Sequence, residues 1–83
     1  MIMLEHNKKL RQLFYRYNSV LQDLYILERI IDDHSLPYFE RETKTTEFLR
    51  LNKEAKEIIE AIRQEGYEFS EEETRNGFSR SVV

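Results

Sequence analysis

The 83-residue sequence predicts an all-α protein. The expected architecture is a long antiparallel helical hairpin, with helices over about 3–33 and 45–65, a short third helix over about 71–77, and self-association into a coiled-coil or four-helix-type dimer. Two observations carry this reading. Met3, His6, Leu10, Leu13, Tyr17, Val20, Leu24, Leu27 and Ile31 step alternately by three and four residues, and all but His6 are apolar or aromatic. Strict 3.5-residue spacing keeps one seam of a helix turned toward a partner helix. The composition agrees: charged residues make up 35% of the chain, with only two glycines and one proline to interrupt long runs. That profile belongs to charge-decorated helical proteins.

The first helix is expected to stop at Asp32-Asp33-His34-Ser35, because Pro37 disfavours helical geometry at Leu36 and brings no donor. The two aspartates sit against the negative end of the helix dipole. Residues 34–44 form the connection, with Tyr38 and Phe39 expected to plug the open end of the hairpin. The second helix starts near Thr45, where Thr43, Thr45 and Thr46 offer side-chain caps. Its stripe is Phe48, Leu51, Ala55, Ile58 and Ile62, widened by Ile59. On its wet face Arg50/Glu54, Lys53/Glu57 and Lys56/Glu60 lie four residues apart, each pair contributing only ~0.2–0.5 kcal/mol. Gly66 falls where a left-handed residue closes a helix, with Tyr67 packing back toward Ile62. Ser70-Glu71-Glu72-Glu73 reads as a capping box opening the third helix, which Asn76-Gly77 ends. Residues 1–78 are expected to form a single domain, with 79–83 a frayed tail. Gly77, beside that tail, is expected to matter less than Gly66.

At ~1.5 Å per residue the first helix is about 46 Å long and the second about 32 Å, which leaves roughly 14 Å of stripe uncovered. Tyr15, Tyr25 and Ile26 lie off the stripe as well. A lone hairpin would expose more apolar surface than soluble monomers carry, so a homodimer is expected. Its seam is Leu10, Leu13, Tyr17, Val20, Leu24, Leu27 and Ile31. Residues 1–20 are basic and 21–42 acidic, which favours antiparallel pairing of two copies, weakly because of salt screening.

The composition narrows the chemistry. There is no cysteine, so disulfide and thiolate chemistry are excluded. Net charge is −3, too mild to demand a charged partner. No apolar run exceeds four residues, as at Leu24–Leu27, far short of the ~20 that span a bilayer. Met1-Ile-Met-Leu-Glu-His lacks the pattern of a secretory signal, so a cytoplasmic location is expected.

Four groups of residues are candidates for function. Asp32, Asp33 and His34, with Glu28, Glu40 and Glu42, form an acid/His cluster, but a second His, any Cys and a known ligand spacing are missing. The expectation is no metal and no cofactor. Lys8, Lys9, Arg11 and Arg16, interleaved with aromatics, are the candidate contacts for nucleic acid. Ser81-Val82-Val83 matches the C-terminal form read by PDZ grooves, a match that arises easily by chance. His6 in the stripe reads as a half-exposed residue of the first turn.

No nucleophile with an oriented base and no pocket-forming carboxylate pair is recognisable, so no enzymatic activity and no small-molecule substrate are expected. The leading reading is a small non-catalytic interaction or regulatory protein, an adaptor or inhibitor of a larger protein partner, with Tyr15, Tyr25 and Ile26 either its partner surface or core covered by a second subunit or by the third helix through Tyr67, Phe69 and Phe78. The alternative is a nucleic-acid-binding accessory protein using the basic segment. A membrane partner is not expected.

Overall fold

The computed structural model describes residues 2–78, with side chains described from Lys8 onward. The side chains of Met3 and His6, and the 79–83 tail with Ser81-Val82-Val83, therefore lie outside what is described. Three helices form: α1 over Ile2–Ile31, α2 over Tyr38–Gln64 and α3 over Glu71–Asn76. The two long helices pack antiparallel. Lys9 of α1 meets Glu65 just past the end of α2 at 2.6 Å, and Arg41 near the start of α2 reaches the Ile31 carbonyl at 3.0 Å. The result is a rod of 54 × 18 × 17 Å. No strand occurs among the described residues, and no helix is long and apolar enough to cross a membrane.

The hairpin turn differs from expectation. α1 ends at Ile31, and Asp33 then folds the chain by accepting hydrogen bonds from both the amide and the hydroxyl of Ser35. Those two donors hold the Asp33 carboxyl below the usual carboxylate value. The aspartate thus serves the turn. Arg41 supplies the donor that the last carbonyl of α1 needs, and its positive charge suits that end of the dipole.

α2 begins at Tyr38, seven residues before the expected Thr45. Pro37 precedes it with φ −56° and ψ 145°, and its carbonyl accepts the Arg41 amide at 3.2 Å. A proline is tolerated at a helix start because no donor is needed there. The threonines are not caps. Thr43, Thr45 and Thr46 lie inside the helix, and their hydroxyls donate to the carbonyls of Phe39, Arg41 and Glu42 four residues back. Such back-bonding is how hydroxylated residues fit a helix interior. The expected plug fails for the same reason: within the helix Tyr38 and Phe39 point outward, 74% and 76% exposed.

The longer α2, about 40 Å against about 45 Å for α1, removes most of the expected shortfall. Leu10, Phe14, Tyr17, Val20, Leu24 and Leu27 of α1 bury against Leu51, Ala55, Ile58 and Ile62 of α2. Glu54 turns to Arg16 of α1 at 3.5 Å and Glu60 to Arg63 at 3.5 Å, in place of the expected four-residue pairs.

α2 closes at Gly66 as expected, with φ +87° and its amide donating to the Arg63 carbonyl at 2.9 Å. The capping box also forms: the Glu73 amide donates to Ser70 Oγ at 3.1 Å, and the Ser70 amide to Glu73 Oε1 at 3.1 Å. Residues 67–78 then fold back onto α1. Phe78, expected beside a loose tail, is 4% exposed and completes the core. It stacks on Phe14 at 4.5 Å with Tyr17 edge-on at 5.3 Å, and Tyr67 stands edge-on to Phe14 at 5.1 Å.

Gly77 reverses its expected rank. It adopts φ +99°, ψ 165°, a combination only glycine holds without strain. A Cβ there would sit 2.8 Å from Asn18 Oδ1, whereas at Gly66 nothing lies within 4 Å.

Candidate interaction surface

Three side chains of α1 grip the backbone of the C-terminal segment. The Asn18 amide donates to the Phe78 carbonyl at 2.8 Å and accepts the Phe78 amide at 2.8 Å, pairing as one peptide unit pairs with another. The hydroxyls of Tyr17 and Tyr25 donate to the carbonyls of Thr74 and Arg75. Burial pushes the Tyr17 phenol above its ordinary value, and neighbouring Tyr25 adds to this. Tyr67 is likewise raised by burial, then by its hydrogen bond to Glu73. The Arg63 guanidinium covers Phe69 at 5.4 Å. The sequence offered Tyr67, Phe69 and Phe78 as cover for Tyr15, Tyr25 and Ile26, but not the backbone grip of Asn18 and Tyr17 that makes the clasp. Its signal was the aromatic spacing of Tyr67, Phe69 and Phe78 on a segment too short to be stable unaided.

The expected seam is filled from within the chain. Leu10, Tyr17, Val20, Leu24 and Leu27 are buried against α2 and Phe78, and Leu13 packs beside them. Ile31 lies half-buried at the hairpin end. A second copy would have to use another face.

Tyr15, Tyr25 and Ile26 are each about half exposed, as expected, but they do not make one patch. Tyr25 turns to α3 through its hydroxyl. Tyr15 and Ile26 are eleven residues apart on the same outer face of α1, about 16 Å along the helix. Ile30 lies near Ile26 on that side and lines an apolar hollow with Phe39. That hollow and the outward Tyr38 put the most exposed large apolar side chains at the hairpin tip.

The basic segment does not present four cations together. Lys9 is held by Glu65 and Arg16 by Glu54. At ~100° per residue, Lys8 stands about 80–100° around α1 from these two and Arg11 about 140–160°. Among the described residues no group of three or more His, Cys, Asp and Glu is placed to hold a metal. An open apolar groove of about 390 Å³ under α3 is lined by Leu21, Tyr25, Ala55 and Ile59. Every buried side-chain polar atom among the described residues has a partner, as buried polar groups generally do.

Comparison with protein-family models, curated proteins and solved structures finds no match for this chain.

Proposed function

We propose that this chain is a small non-catalytic interaction protein, which engages a larger protein partner through the hairpin tip. The observation that supports it is the pair Tyr38 and Phe39, 74% and 76% exposed on a folded helix whose core is otherwise closed. Aromatic rings held by a rigid helix offer large contact area for little lost entropy, which is why they recur at the centres of interfaces. Ile30 beside Phe39 extends the apolar contact, and Glu40 and Lys44 at its margin supply the polar rim such sites carry. The partner surface thus moves from Tyr15, Tyr25 and Ile26 toward the tip. Nucleic-acid binding through the basic segment is less well supported, since Lys9 and Arg16 would first have to leave Glu65 and Glu54.

The test is affinity capture from the native host with wild type and with Tyr38→Ser/Phe39→Ser. Both rings are exposed, so the variant should keep its helicity. A protein retained by wild type and lost by the variant supports the proposal. Identical capture by both, or no capture by either, overturns it.

A further inference from the structure

The outer face of α1, opposite its core stripe, carries a second heptad that the fold leaves uncovered. Gln12, Tyr15, Ser19, Gln22 and Ile26 step by three and four, flanked in the same register by Lys8 and Arg29, and all seven are exposed. In a chain that is 35% charged, five consecutive positions of this stripe carry no charge. Two of the five, Tyr15 and Ile26, are large and apolar, and the small Ser19 between them lets a facing helix approach closely around those two anchors. Tyr15, Asn18, Ser19 and Gln22 line a notch where Ser19 leaves space between longer side chains.

The stripe is complementary to its own reverse. Laid antiparallel about a two-fold axis between Ser19 and Gln22, each Tyr15 faces Ile26 of the other copy and each Ser19 faces Gln22. Gln12 then meets Arg29, and Lys8 comes to Asp33, the exposed aspartate just beyond α1. A two-fold interface requires this property, the same patch matching itself. A parallel pair would instead set Lys8 against Lys8 and Arg29 against Arg29, where like charges repel.

We propose that the outer face of α1 is a self-association face on which a second copy of this chain docks antiparallel, pairing Tyr15 of each copy with Ile26 of the other. A single helix pair of this length buries less than the ~1,200 Å² typical of stable complexes, so the dimer exchanges reversibly with monomer. The face adjoins the tip where Ile26 meets Ile30 but includes neither Tyr38 nor Phe39, so failure here leaves the tip reading standing, and the reverse.

The experiment uses the full chain. Sedimentation across a range of concentration should show mass rising from 10.2 kDa toward twice that value. Ser19→Arg, which sets a cation against the opposing stripe at its centre, should hold the mass at monomer with helicity unchanged. Register is read by oxidative cross-linking, which is clean because the chain has no cysteine of its own. Tyr15→Cys combined with Ile26→Cys should give a disulfide-linked dimer, while either substitution alone should not, since each cysteine would face an isoleucine or a tyrosine. A constant monomer mass for wild type overturns the proposal. So do single variants that cross-link as fully as the double, which would mean a parallel or non-specific contact.

Discussion

Replacing Gly77 by alanine should loosen the C-terminal clasp more than any other exchange of a small residue in this chain. Two penalties add. An L side chain at φ +99°, ψ 165° carries about 1–3 kcal/mol of backbone strain. The new Cβ would also lie 2.8 Å from Asn18 Oδ1, so Asn18 must move and give up its two hydrogen bonds to Phe78, each worth about 0.5–1.5 kcal/mol net. The sum is about 2–6 kcal/mol, a large share of the 5–15 kcal/mol that holds a small domain folded. Gly66→Ala meets only open space and should lose about 1 kcal/mol from its positive φ. Urea unfolding followed by circular dichroism and tyrosine fluorescence measures both. A double-mutant cycle sharpens the reasoning. With Asn18→Ala already in place the clash is gone, so Gly77→Ala should then lose only the strain component, giving a coupling of about 1–3 kcal/mol. A Gly66→Ala loss equal to or larger than that of Gly77→Ala, or a strictly additive cycle, would refute the argument.

Phe78→Ala should lose about 3–5 kcal/mol, the range for a buried ring, and expose Phe14 and Tyr17, visible as faster hydrogen exchange in α3 with α2 still protected. Leu24→Glu buries an unpaired carboxylate between α1 and α2, so circular dichroism should report unfolding and not a folded monomer. Because the folded Tyr17 phenol is raised above its ordinary value of 10.0, its contribution is fully present below that pH and lost as pH climbs through the higher folded value. The urea midpoint should therefore fall above pH 10, and Tyr17→Phe should flatten that fall. Lys9→Ala should change stability by no more than about 1 kcal/mol, since its ion pair with Glu65 is largely solvated on the lysine side.

Much of the fold was legible in local chemistry. The heptad of α1 and the stripe of Leu51, Ala55, Ile58 and Ile62 mark their buried faces directly, because helical period and burial are the same constraint. The Gly66 closure and the Ser70–Glu73 capping box are equally local, set by one backbone sign and two side chains within a turn. The start of α2 was misread because three threonines resemble a cap, and only the packed hairpin shows their hydroxyls turned to carbonyls behind them.

What the tertiary structure alone decided is where the long-range partners meet. Nothing in the sequence around Asn18 or Phe78 says that one reads the backbone of the other across sixty positions, since such a match depends on where α3 lands. That landing determined which residues count as surface. It brought Phe78 in to finish the core of α1 and α2, while the early start of α2 turned Tyr38 and Phe39 out to solvent. Period fixes which side of a helix is apolar. Only the packed chain determines which apolar side is already taken.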